Sequence, residues 1–118
     1  MFHKTSRLID IAIHKITMQS VKLHSAMIRT FKHRGLERFF RNGDHRGILA
    51  KSEARTERIL DRLDSISRPE DMNIPGYRFH QLSGNRKGIY AVTVTGNWRI
   101  TFRFEGEDAF DVDLEDYH

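Results

Sequence analysis

Arg78, His80, Arg86, Lys87, Arg99, Tyr117 and His118 together supply the residue types needed to cut an RNA phosphodiester without a metal. Cleavage through the ribose 2′-hydroxyl needs a base to take the hydroxyl proton. It needs a cation to offset charge on the phosphorane and an acid to protonate the departing 5′-oxygen. Histidine suits either proton role because its pKa lies near neutral, and tyrosine is a weaker substitute. Arginine grips phosphate oxygens with a planar fork and cannot act as an acid at neutral pH. Each residue also has a plain reading. His80 fits a surface histidine, and Tyr117 and His118 fit a frayed chain end. Arg99 fits a simple ion pair with Glu115, and Arg86 and Lys87 fit a solvated turn.

Other chemistries find less support. His3, His14, His24, His33 and His45 are scattered and lack the local spacings of a zinc or H-E-x-x-H site, so no metal is expected. There is no phosphate-cradling glycine loop and no Ser-His-Asp signature, and no cofactor is expected. The chain has no cysteine, which excludes disulfides, thiolate ligands and a cysteine nucleophile and suits a reducing cytosol. No apolar run approaches the roughly 18 residues of a membrane span.

The elements that must position these residues are strands. Trp98, Ile100, Phe102 and Phe104 alternate with Arg99, Thr101 and Arg103, and Phe110, Val112 and Leu114 alternate with Asp111, Asp113 and Glu115. Period-two alternation marks half-buried strands. Both apolar sets fall on even positions, so sharing a face predicts a three-residue loop with Gly106 at positive φ. That register sets Arg103 opposite Asp111, Thr101 opposite Asp113, Arg99 opposite Glu115 and Asn97 opposite Tyr117. Upstream, Tyr77–Leu82 and Ile89–Thr95 read as strands, joined by the polar turn Ser83–Gly88. Gly96-Asn97 turns the chain into the hairpin.

Two helices precede the strands. Gly35–Asn42 has Leu36, Phe39 and Phe40 on one face and Gly43 as its stop. A second helix is expected from about Ser52 to Ser67, with Ser52 as cap and Pro69 marking its end. Its apolar stripe is Ala50, Ala54, Ile59, Leu60, Leu63 and Ile66. Arg55, Arg58, Asp61 and Asp64 read as its solvated face. Ile28, Thr30 and Phe31 suggest a short first strand. The order predicts an α+β fold, with two helices packed on one face of a curved antiparallel sheet and a site on the open face.

The formal charge is +4, unevenly spread. Residues 27–104 hold sixteen basic and eight acidic residues, whereas residues 105–118 hold seven acidic and no basic ones. The basic body is a footprint for nucleic acid; the acidic tail partly cancels that field and argues against a simple non-specific binder, and its plain reading is pairing with Arg99 and Arg103 across the hairpin. Residues 1–26 differ in character. Their β-branched stretch Leu8–Ile13 is interrupted by Asp10, so they make a poor signal peptide and read as an extension ahead of a domain that opens at Met27, the alternative being an additional helix that packs on a partner.

MIRTFKHRGLERFF at 27–40, YRFHQLSGNRKGIYAVTV at 77–94, NWRITFRF at 97–104 and the terminal EDYH together resemble the HigB toxins of type II toxin–antitoxin systems, within the RelE/ParE superfamily. The resemblance spans residues 27–118. It implies a RelE-like fold and a metal-free, ribosome-dependent endonuclease that cuts mRNA in the A site of the small subunit. It also implies a cytoplasmic location and a HigA-type antitoxin partner. The family's active-site positions carry over to His80, Arg99, Tyr117 and His118, with Asp116 in support. Arg78, Arg86 and Lys87 are candidate RNA contacts. Several members have a lysine where this chain has Ser83; either Arg86 or Lys87 replaces it, or activity is reduced. The C-terminal carboxylate beside His118 favours its charged form. A ParE-like gyrase inhibitor and a non-catalytic RNA-binding module are the competing readings.

Overall fold

The computed structural model describes residues 26–117. Helix α1 spans Arg34–Asn42 and α2 spans Glu53–Leu63. Strands β1 (His80–Gln81), β2 (Tyr90–Thr95), β3 (Trp98–Glu105) and β4 (Asp108–Asp116) form one antiparallel sheet in the order β1-β2-β3-β4. The helices lie on one face of this curved sheet, the α+β arrangement expected from the sequence.

Helix α1 starts where the His33 imidazole accepts the Leu36 N–H through Nδ1 at 2.9 Å, satisfying one of the helix's free donors. It stops at Gly43, whose φ of 74° places it in the left-handed region. Leu36, Phe39 and Phe40 are buried against Ile59, Leu60 and Leu63 of α2 and against Val92, Ile100 and Phe102 of the sheet. Each such side chain contributes about 1.5–3 kcal/mol by leaving water. Gly35 permits the close approach of the following loop, since a Cβ there would sit 2.9 Å from the Gly47 carbonyl oxygen.

Helix α2 differs from expectation at both ends. The Ser52 hydroxyl donates to the Leu49 carbonyl at 3.3 Å instead of accepting from the helix, because a 3-10 turn over Ala50–Ser52 already leads into it. Ala50 and Ala54 are exposed, and Thr56 takes the buried position in the stripe. The helix ends at Leu63, short of Ser67, because the Ser65 hydroxyl and the Ile66 N–H both bond the Arg62 carbonyl and satisfy it early. Two members of the supposed solvated face are structural. Asp64 is buried and accepts the Ile28 N–H at 2.8 Å. The Arg55 guanidinium donates to the carbonyls of Thr93 (3.1 Å) and Gly76 (2.8 Å) and stacks over Tyr77.

The expected first strand is realised as a parallel pairing against β4, with bridges Ile28–Ala109 and Phe31–Val112. The expected strand Tyr77–Leu82 contracts to two residues. Arg78 adopts φ +53°, which turns its carbonyl out of the ladder.

The β3–β4 hairpin keeps half of its predicted register. Arg99 pairs with Glu115 and Thr101 with Asp113, and the Tyr117 N–H bonds the Asn97 carbonyl at 3.1 Å. Beyond Thr101 the register shifts, so Arg103 pairs with Phe110 and the turn has two residues, Gly106 and Glu107. A bulge at Asp111, φ +56°, absorbs the difference. Ala109 therefore takes the core position, and Phe110 lies beneath the Arg103 guanidinium at 5.1 Å.

Candidate active site

Antiparallel partners share a face, so register alone assembles the sheet's outer surface. His80 pairs with Ala91, Ala91 with Thr101 and Thr101 with Asp113, a row across all four strands. One pleat repeat along, Thr93 pairs with Arg99 and Arg99 with Glu115. His80 and Arg99 thus share a face about 12 Å apart between Cα positions, a span set by strand spacing and rise. Extended side chains and one phosphodiester fit across it.

Arg99 is the best-held cation. Its side chain is only 13% exposed. Its Nε and Nη2 donate to Glu115 Oε1 at 3.2 and 3.1 Å, and its guanidinium lies 4.4 Å from the centroid of the Tyr117 ring. Tyr117 is itself exposed. The predicted Arg99–Glu115 pair and the Arg99–Tyr117 proximity are both present.

Arg86 is not a solvated turn residue. It sits in the 3-10 turn Gly84–Arg86 and reaches Glu115 with a two-pronged bond, Nη1 to Oε1 at 3.1 Å and Nη2 to Oε2 at 2.6 Å. Glu115 stands two strands beyond β2, about 10 Å away. The turn must therefore fold over the outer face, which explains why Ala91 and Thr101 are buried there. Two guanidiniums and the Thr101 hydroxyl (3.4 Å) meet at one carboxylate. Hydrogen bonding from Arg86, and then from Arg99, holds the Glu115 carboxyl below its usual range, outweighing the opposing effect of burial. Glu115 in turn raises Arg86 above its ordinary value. Lys87, by contrast, is exposed at the end of the turn.

His80 sits on the edge strand and is exposed. Its Nδ1 lies 2.8 Å from the Arg78 carbonyl oxygen. A carbonyl only accepts, so Nδ1 carries the proton and the neutral ring presents Nε2 as its acceptor. The left-handed backbone of Arg78 aims that carbonyl, while the Arg78 side chain is exposed. Asp116 pairs with Trp98, which packs against the core, so alternation puts Asp116 on the helix-covered side. His118 lies outside the described residues, as do residues 1–25.

The sequence did not single out Glu115 as a hub. The available signal was an acid paired in register with Arg99, which reads as an ordinary cross-strand ion pair. The contribution of Arg86 to it depends on how a loop folds back.

A small α+β domain with arginines and a histidine on one sheet face has the architecture of a RelE-like toxin. The family model described as "RelE-like toxin of type II toxin-antitoxin system HigB" matches residues 29–118. An endoribonuclease HigB of Proteus vulgaris is 39% identical over 92 residues, covering 78% of this chain and 100% of that protein. A toxin HigB-1 of Vibrio cholerae is 35% identical over 80 residues, covering 66% of this chain and 84% of that protein. The chain belongs to the HigB-like toxin family. A toxin of a type II system has an antitoxin as its partner. No helix among the described residues is long and apolar enough to cross a membrane.

Proposed function

We propose that this chain is an endoribonuclease toxin that cuts mRNA in the A site of the ribosomal small subunit and is restrained by a HigA-type antitoxin. His80, Arg99, Tyr117 and His118 form its reaction centre. The observation that carries the reading is the shared sheet face. It joins a histidine with a bare acceptor nitrogen, a largely buried guanidinium and the stacked Tyr117 ring. His80 Nε2 takes the proton of the ribose 2′-hydroxyl as that oxygen bonds to phosphorus. Arg99 offsets the charge gathering on the phosphorane oxygens. His118, next to Tyr117 in the chain, gives a proton to the 5′-oxygen as the P–O5′ bond breaks. A 2′,3′-cyclic phosphate and a 5′-hydroxyl result, and this scheme assigns every proton and charge role to these side chains.

Arg78, Arg86 and Lys87 meet the RNA backbone. Arg86 is the better replacement for the lysine missing at Ser83, because its guanidinium already lies over the outer face whereas Lys87 points into solvent. Asp116 supports the chain end from the opposite side of β4. The toxin domain is residues 27–118, with residues 1–26 an extension ahead of it, and the protein works in the cytoplasm where mRNA is translated. The basic body makes RNA binding salt-dependent.

Primer extension on a translated mRNA, with and without ribosomes, tests this reading. Cuts confined to translated frames, and their loss in His118→Ala with the fold intact, are the expected result. Growth arrest by His118→Ala equal to that of the wild type would overturn the catalytic assignment.

A further inference from the structure

Among the described residues, Glu115 accepts the most hydrogen bonds of the carboxylates on the outer face, yet it stands in the cationic half of the site. It accepts from Nε and Nη2 of Arg99, from Nη1 and Nη2 of Arg86, and lies within reach of the Thr101 hydroxyl. A carboxylate there partly cancels the charge that should draw a phosphate. Simple phosphate binding would be served better without it.

The two arginines differ in how they are tied. Arg99 is in mid-strand, 13% exposed, and also held by the Tyr117 ring. Arg86 is 38% exposed and rides on a turn whose flanking Gly84 and Gly88 both have positive φ. Glu115 is the only group that bonds both guanidiniums among the described residues. Removing it would leave the Arg99 head steadied by the Tyr117 ring without its hydrogen bonds, and would take from Arg86 the two-pronged bond that lays it on the face.

We propose that Glu115 is a positioning residue for the cleavage reaction: it fixes the Arg99 guanidinium at one depth beneath the scissile phosphate and keeps Arg86 laid across the sheet. This rests on the endoribonuclease reading. A fork displaced by about 1 Å costs up to about a hundredfold in rate while the substrate still binds. Glu115 thus gives up some phosphate attraction in exchange for a fixed orientation.

The test has two arms on the full chain. The first follows the side-chain Nε–H resonance of Arg99 by 15N NMR in wild type, Glu115→Asp, Glu115→Gln and Glu115→Ala. It is expected to be sharp and slowly exchanging in the wild type, weakened in Glu115→Asp and lost in the other two. The second arm measures ribosome-dependent mRNA cleavage by the same proteins, after melting curves show that they are folded. A fall in kcat of about 10–100-fold, a KM equal to or below that of the wild type, and partial rescue in Glu115→Asp support the proposal. An Arg99 resonance indifferent to the substitution overturns it. So does wild-type kcat in Glu115→Gln, or a loss confined to KM. A wild-type protein that cleaves no RNA overturns the endoribonuclease reading, and the resonance still decides whether Glu115 holds Arg99.

Discussion

The two halves of the site are built by opposite means. In the β3–β4 half, Arg99 is largely buried in an eight-residue strand paired on both sides, and it is gripped by a carboxylate and an aromatic ring. In the β1 half, His80 is exposed on a strand of two residues, held through one bond to the carbonyl of a residue with left-handed backbone. A charge-stabilising group gains from rigidity, because its dipoles must already point correctly when charge develops. A proton-transferring group must exchange its proton with solvent between turnovers, and an accessible edge allows that. The difference suits each half to the part proposed for it.

The largest effect is expected at the lightly held half. His80→Ala should lower kcat by about 10²–10⁴-fold, the usual contribution of a general base. The melting temperature should barely move, because the side chain is exposed. Measured cleavage and melting curves check both parts. If activity and stability fall together, His80 is a structural residue and the two halves are not different in kind.

Arg99→Lys sharpens the contrast from the other side. A lysine keeps the charge but loses the fork that Glu115 accepts and the flat face that Tyr117 covers. A loss of about 10²–10³-fold in kcat is expected, the scale of removing one preorganised oxyanion donor. Unlike His80→Ala, this change should also lower stability, because a bonded, largely buried group is exchanged. A lysine variant of near-wild-type rate would mean that charge alone suffices and that the tight grip on Arg99 has no catalytic purpose.

The two halves were also unequally legible in the sequence. Alternation from Trp98 to Leu114 is a strong local pattern, and it placed Arg99 opposite Glu115 and Asn97 beside Tyr117. It could not show the bulge at Asp111, because a turn of two residues plus a bulge and a turn of three residues both bring the core positions into line by Leu114. The β1 half depended on non-local facts. Tyr77–Leu82 alternates like a strand, but Arg78 departs from extended backbone, and Arg55 contacts this loop from a helix more than twenty residues earlier in the chain. Neither feature leaves a periodic trace. The reach of Arg86 to Glu115 was hidden for the same reason, since composition makes Ser83–Gly88 a turn without saying which way it folds.

Arg55→Ala probes the support behind the lightly held half. It removes charge-assisted bonds to the Thr93 and Gly76 carbonyls and the stack on Tyr77. A cost of about 2 kcal/mol is expected from bonds of this kind. Cleavage should fall about tenfold although Arg55 touches no RNA, because a misplaced catalytic group slows the reaction. Amide hydrogen exchange should quicken over residues 76–81 and stay unchanged in β3 and β4. Uniform acceleration across the sheet would show that the two halves unfold as one unit and share their support.

The smallest effect, and the one that isolates the tightly held half, is the acid dependence of Glu115. Arg86 and Arg99 bond its carboxylate and keep its folded-state pKa below the unfolded one. A lowered carboxyl pKa stabilises the fold above the ordinary glutamate value, about 4.3, and that contribution fades as pH falls through the folded value. Glu115→Gln should therefore be less stable than the wild type at pH 7 by about 1 kcal/mol, since the pair is partly open to solvent. The gap should narrow as the pH falls below the ordinary glutamate value, about 4.3, and close below the folded-state pKa, where both proteins carry a neutral side chain. Salt should shrink the share due to Arg86, which is 38% exposed, more than the share due to the largely buried Arg99. Paired melting curves across this range measure the difference directly. A gap that is constant with pH would attribute the loss to packing, and the tightly held half would then owe its rigidity to the Tyr117 stack and the strand ladder instead of to ionised hydrogen bonds.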